Sequence, residues 1–207
     1  MKVLIINGSP RINSNSSILI KEITDVFDEY NAEYEIINIG NKDIRGCTAC
    51  NYCKNKGELC VFKDIVNDAS IKLKESDGLV IVSPVYYGSP SGNVISFLDR
   101  LFYSKNYSLK YKVGAAFTIA RRAGTTASFD VLNKYFTISG MPVVSGDYWN
   151  NGFGSAIGEI ESDLEGKRNA RIVAQRMVFL LKAIKDAKNK YKELLDEEEE
   201  VYTNFIH

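Results

Sequence analysis

Apolar residues in this chain alternate between two rhythms. Solid apolar runs stand at 3–6 and 79–82, with looser ones at 111–119 and at 33–39, the last carrying Tyr34, Ile36, Ile37 and Ile39. Runs of this kind read as strands buried on both faces. Between them the apolar positions return at helical spacing: Ile18, Leu19, Ile23, Val26 and Phe27, then Ile65, Val66, Ala69, Ile71 and Leu73. Further helices are predicted over 91–101, over 126–138 and from Gly166 to about Leu195, and a fifth strand over 140–144. Five strands alternating with five helices predict an α/β fold, a doubly wound parallel sheet covered on both faces. Residues 1–190 read as one domain. Residues 191–207 read as a helix end and a solvated tail with the acidic run at 197–200.

The first strand stops at Asn7-Gly8-Ser9-Pro10. Gly8 can adopt positive φ, and Pro10 has no N–H with which to continue a ladder. Five of the seven residues from Arg11 to Ser17 are Asn or Ser, good helix caps. A strand, a short polar loop and a helix start aim free backbone N–H groups and the positive helix end at one point, which suits a phosphate. A cap needs a single residue, so Ser14, Asn15, Ser16 and Ser17 together with Arg11 point to a ligand.

In an open parallel sheet the ligand sits beyond the carboxyl ends of the strands. Two further loops there are unusual: Pro84-Val85-Tyr86-Tyr87-Gly88 and Ala120-Arg121-Arg122-Ala123-Gly124. The first loop lacks the Gly-x-Gly-x-x-Gly dinucleotide fingerprint, and the chain lacks a Gly-x-x-x-x-Gly-Lys-Ser/Thr loop. No cysteine stands five residues before an arginine at the first loop, which removes a phosphatase of similar topology. One phosphomonoester on Ser, Asn and Arg remains, next to flat aromatics that suit a planar ring with carbonyl edges. FMN has both parts.

Composition removes several chemistries. Lys+Arg and Asp+Glu both number 26, so nothing favours nucleic acid or an anionic membrane. No apolar run approaches the roughly 20 residues that cross a bilayer, and the N-terminus is no signal peptide. A cytoplasmic protein is expected, with reduced cysteines unless they hold a metal. The single histidine is the last residue, His207. A histidine triad or zinc–histidine site is therefore excluded, and the chemistry falls to a cofactor or to cysteines.

Gly8-Ser9-Pro10-Arg11 with Ser14-Asn15-Ser16, Ser83-Pro84-Val85-Tyr86-Tyr87 and Phe97-Leu98-Asp99-Arg100 resemble the flavodoxin-like NAD(P)H-dependent FMN reductase family. The cysteine stretch resembles its iron–sulfur flavoprotein branch. The resemblance spans nearly the whole chain, through Gly140-Met141-Pro142 and Asp163-Leu164-Glu165-Gly166. It implies the strand order 2-1-3-4-5 and homodimers or homotetramers that complete the flavin pocket. Carried over by position, Ser9, Arg11, Ser14, Asn15 and Ser16 hold the FMN phosphate. Pro84, Val85, Tyr86, Tyr87 and Gly88 line the isoalloxazine, and Ala120, Arg121, Arg122 and Gly124 form the third flavin loop. For the tyrosines the competing reading is core or subunit packing, for Arg121 and Arg122 an interface pair, and for Asp99-Arg100 a structural pair at a helix end.

All four cysteines fall within 14 residues, as Cys47-x2-Cys50-x2-Cys53-x6-Cys60. Three thiols at i, i+3 and i+6 in a tight loop can face one centre, and the fourth closes the set. Soft thiolates without histidine or carboxylate suit iron–sulfur or zinc. The resemblance implies a 4Fe–4S cluster; structural zinc and metal-free thiols or disulfides are the alternatives. The cysteine loop is expected on the same side of the sheet as the flavin loops.

The family resemblance implies hydride transfer from NAD(P)H to FMN, then delivery to a quinone, flavin or other small acceptor in ping-pong order. Backbone N–H groups at Tyr87–Gly88, aided by Arg121 or Arg122, would stabilise negative charge on the reduced ring. The rival is a flavodoxin-like electron carrier without NAD(P)H activity, fed by ferredoxin.

Overall fold

A computed structural model of the chain describes residues 1–57, 59–195, 199, 201 and 203. The parallel sheet contains β1 (Lys2–Asn7), β2 (Glu33–Asn38), β3 (Gly78–Tyr86), β5 (Val113–Ala120) and β6 (Asn151–Phe153), in the order β2-β1-β3-β5-β6. A two-residue strand, β4 (Ser89–Pro90), pairs antiparallel with β3. Counted over the parallel strands alone, this is the flavodoxin-like order 2-1-3-4-5.

The helices are α1 (Asn15–Glu29), α2 (Tyr52–Lys56), α3 (Ile65–Glu75), α4 (Gly92–Ser104), α5 (Thr125–Thr137) and α6 (Leu164–Lys190). Alternate residues of each central strand enter different cores, which is why the strands are apolar throughout. Val3, Ile5, Val80, Val82, Ala115 and Phe117 meet α1 and α6. Leu4, Ile6, Leu79, Ile81 and Ala116 meet α3, α4 and α5. Each fully buried aliphatic side chain contributes about 1.5–3 kcal/mol by burial.

The fifth parallel strand lies elsewhere than residues 140–144. That segment makes one parallel bridge, Gly114 to Val143. The paired strand is β6, bonded to Thr118–Ala120. The edge is split because α6 reaches in between the two pieces. Asn169 accepts from the Asp147 N–H at 2.9 Å and donates to the Tyr148 carbonyl at 3.2 Å and to Asn150 Oδ1 at 3.2 Å. Gly146 makes room for this, since a Cβ there would lie 2.3 Å from Asn169 Oδ1.

The loop expected over 84–90 is a β-hairpin. β3 continues to Tyr86 and folds back through Tyr87 and Gly88, with φ of 51° and 74°. Two central residues with positive φ are the signature of a type I′ turn, whose twist matches the strands. Past α6 the chain makes a 3₁₀ turn, Lys192–Leu195. Of the acidic run at 197–200 only Glu199 is among the described residues, and His207 also lies outside them. Among the described residues no helix is long and apolar enough to cross a membrane.

Candidate functional site

The carboxyl ends of β1, β3, β5 and β6 surround a cavity of about 190 Å³. It gathers Ser9, Arg11, Ser14, Asn15 and Ser16 with Pro84, Val85 and Tyr86, and with Ala120 and Arg121. Four expected residues lie outside its lining: Tyr87, Gly88, Arg122 and Gly124. Tyr87 is the wholly exposed tip of the hairpin. Gly124, at φ 88°, lets the third loop close on the second; a Cβ there would lie 2.8 Å from Gly88 Cα.

The first loop is shaped by its own polar side chains. Asn7 Oδ1 accepts from the Ser9 N–H at 3.1 Å, and Ser9 Oγ accepts from the Arg11 N–H at 3.3 Å. Ser14 is the N-cap of α1, its Oγ accepting from the Ser17 N–H at 3.1 Å. The amides of Asn15 and Ser16, in the first turn, have no helical acceptor. They point out of the positive end of α1, equivalent to about half an elementary charge.

A fourth loop completes the wall and was missed in the sequence. Gly154 and Ser155 line the cavity, and Ile119 joins them from β5. Asn15 ties this loop to α1: its Oδ1 accepts from the N–H groups of Gly158 at 3.0 Å and Ile160 at 3.4 Å, and its Nδ2 donates to the Ala156 carbonyl at 3.0 Å. The side-chain amide of Asn15 is thus a loop anchor, and its backbone N–H stays free. Glu159 accepts from the Ser155 and Ala156 N–H groups at 2.6 and 2.9 Å. These bonds, with the Arg121 charge, hold its carboxyl below the ordinary 4.5. The available sequence signal was the glycine spacing at 152, 154 and 158.

The cysteine connection leaves β2 and runs the length of α4. Asn93 Nδ2 donates to the carbonyls of Gly40 at 3.0 Å and Lys42 at 2.8 Å. Tyr103 donates to Asn51 Oδ1 at 2.9 Å, and Asn106 to the Gly57 carbonyl at 2.9 Å. Cys47, Cys50, Cys53 and Cys60 line one small cavity with Arg100, Tyr103 and Ser104. Those α4 residues stand 8 to 12 positions beyond Gly92, about 12–18 Å along the helix axis. The cysteine loop is expected on the same side of the sheet as the flavin loops; α4 instead carries its thiols about that far from the strand ends.

Ala49 and Asn51, on either side of Cys50, have φ of 51° and 57°. This left-handed backbone coils the loop tightly. All four thiols are free, Cys47 and Cys50 exposed and Cys53 and Cys60 half-buried. Among the described residues no three cysteine, histidine or carboxylate groups are already placed to hold one metal ion. The all-sulfur donor set still suits a thiophilic centre.

Arg100 is the anchor of this cavity. Its side chain is fully buried. It donates to Asp64 at 2.7 and 2.9 Å, to the Arg45 and Phe62 carbonyls at 3.4 and 3.1 Å, and to Cys60 Sγ at 3.3 Å. Asp64 also caps α3. Asp99 bonds Tyr135 at 2.5 Å, so Asp99 and Arg100 serve separate partners.

A flavodoxin-like sheet with a phosphate-suited helix start and an aromatic hairpin at its strand ends is the frame of a flavin-binding protein. The chain belongs to the NADPH-dependent FMN reductase family, whose family model matches residues 1–156. It is 32% identical over 193 residues to an iron–sulfur flavoprotein of Methanocaldococcus jannaschii, covering 89% of this chain and 100% of that one. An iron–sulfur flavoprotein of Methanosarcina thermophila is 30% identical over 195 residues, covering 92% of this chain and 100% of that one. The fold is shared with RosB, a crystal structure containing the intermediate 8-demethyl-8-formylriboflavin-5′-phosphate. The TM-score is 0.74 at 18% identity, over 100% of this chain and 92% of that one.

Proposed function

We propose that the strand-end cavity holds FMN and that the chain is an oxidoreductase taking electrons from a reduced nicotinamide to a small acceptor such as a quinone or flavin. The observation that carries this is the convergence of four strand-end loops on the N-terminus of α1. The free amides of Asn15 and Ser16, the hydroxyls of Ser9, Ser14 and Ser16 and the Arg11 guanidinium would hold the phosphate. Pro84, Val85, Tyr86, Ala120 and Arg121 would flank the ring. Bound FMN supplies the hydride and electron chemistry. The protein binds, orients and shields, and needs no histidine.

The cavity, at about 190 Å³, is smaller than the 300–1,000 Å³ usual for small-molecule sites. Tyr86 and Tyr87 stand open beside it. Both facts support a second copy closing the pocket over the hairpin.

A second reading concerns the thiols. Four cysteines lining one cavity that has no histidine or carboxylate in its lining support an iron–sulfur cluster held by Cys47, Cys50, Cys53 and Cys60. Such a centre supplies one-electron transfer.

Protein purified without oxygen tests both readings. Yellow protein that releases FMN on denaturation and oxidises NADPH or NADH with a quinone is expected. Colourless protein that takes up no FMN refutes the first reading. Reduction by ferredoxin with no nicotinamide turnover makes it an electron carrier instead. Iron and sulfide that never bind refute the second reading.

A further inference from the structure

The turn at Ser9–Arg11 has a second cavity on its far side, about 530 Å³ in volume, over the edge strand β2 and next to α3. This size is usual for a small-molecule site. Ser9, Pro10 and Arg11 line both cavities, so the two are separated by one turn of chain.

Its walls divide by chemistry. Ile12, Ile36 and Ile65 make an apolar side, and Ile12 and Ile36 are left exposed to water. Arg11, Lys42 and Lys72 make a cationic side, opposed by the Asp68 carboxylate. Lys72 is paired with Glu35. Among the described residues neither Arg11 nor Lys42 has a carboxylate partner; Arg11 reaches only the Ser155 carbonyl, at 3.5 Å. An apolar wall beside unpaired cations fits a heteroaromatic base carrying a phosphate.

We infer that this cavity takes the adenosine 2′-phosphate end of the nicotinamide donor. The 2′-phosphate lies on Lys42 and Arg11, and the base lies against Ile12, Ile36 and Ile65. Arg11 then stands between two phosphates, that of FMN on one side and that of the donor on the other, and screens their repulsion. The inference rests on the reductase reading, and it assigns the choice of NADPH over NADH to residues outside the flavin cavity.

The test titrates FMN-loaded protein with adenosine 2′,5′-bisphosphate, adenosine 3′,5′-bisphosphate and 5′-AMP. The 2′,5′-bisphosphate is expected to bind about ten-fold tighter than either of the others, the size of one charge-assisted hydrogen bond. Lys42→Ala should remove that preference, raise KM for NADPH about ten-fold at unchanged kcat, and leave KM for NADH alone. Equal binding of the three nucleotides overturns the inference, as does an unchanged preference in Lys42→Ala, even while NADPH turnover stands. Absence of NADPH turnover alongside a Lys42-dependent 2′,5′-bisphosphate site refutes the reductase reading but leaves the nucleotide site in place.

Discussion

The cavity at the strand ends is pinned by bonds among its own loops, whereas the cysteine loop is held from outside, by side chains of α4 with buried Arg100 at their centre. Around the first, Asn7 and Ser9 shape the turn, Ser14 caps α1, Asn15 ties in the fourth loop and Glu159 closes it. None of these bonds needs a ligand. Around the second, Arg100 joins both arms of the cysteine loop to α4, and the exposed thiols Cys47 and Cys50 have no comparable tie. A sheet edge can preform a cradle, because the strands fix where the loops begin. A loop laid on a helix surface takes its path from the helix side chains it meets.

The contrast breaks most visibly at Arg100. Arg100→Met would leave Asp64, Cys60 and two carbonyls without their donor. Each buried acceptor left unsatisfied costs about 1–3 kcal/mol, and the two carbonyls and Cys60 carry most of the loss, because Asp64 is a third exposed and keeps the Val66 N–H. The denaturant midpoint should fall accordingly, while folded protein still takes up FMN with wild-type affinity, because no Arg100 atom lines the strand-end cavity. An unchanged midpoint would show that the cysteine loop is held by something else.

Arg11→Ala probes the other side. It should weaken FMN binding by about 1.5–3 kcal/mol, the size of a hydrogen bond to a charged group. Its guanidinium makes only one long contact, to the Ser155 carbonyl, so the unfolding midpoint should stay put. FMN affinity that does not change would remove Arg11 from the phosphate site.

The sequence was legible where a residue type has one physical use. The apolar runs located β1, β3 and β5, because both faces of those strands are buried. The polar stretch before α1 was legible as a helix cap, and the cysteines as a group sharing one cavity. What was missed depends on partners distant in the chain. β6 is three residues of Asn-Gly-Phe with no apolar run, placed by Asn150, Asn151 and Asn169. The side-chain amide of Asn15 is occupied by groups 141 to 145 residues away, a role that no local pattern reveals, while its backbone N–H stays free at the start of α1. The path of the cysteine loop down α4 is set by Asn93, Arg100, Tyr103 and Asn106, whose partners no local pattern reveals.

Tyr87 sharpens the comparison from the strain side. A bulky residue with positive φ is costly, and a type I′ turn favours Asn before Gly. Tyr87 touches nothing that would offset this, being fully exposed. Tyr87→Asn should raise stability by about 0.5–1 kcal/mol in thermal unfolding. If a second copy closes on the hairpin, the same change should weaken self-association in sedimentation. Gain of stability with unaltered association would leave the tyrosine without a role at the pocket.

The smallest effect concerns the carboxylate that pins the fourth loop. Glu159 is held below its ordinary 4.5 chiefly by the Ser155 and Ala156 amides, with help from Arg121. A depressed carboxylate pKa stabilises the folded loop above the unfolded value, and the contribution disappears as pH falls through the lower folded value. Hydrogen-exchange protection of the Ser155 and Ala156 amides, corrected for intrinsic exchange, should therefore be flat near neutral pH and decline as pH falls through the ordinary carboxylate value of 4.5 and below. Glu159→Gln keeps an acceptor but has no charge to lose, so its protection should be lower and show no such decline. A decline that survives in the glutamine variant would mean that another group governs the wall of the strand-end cavity.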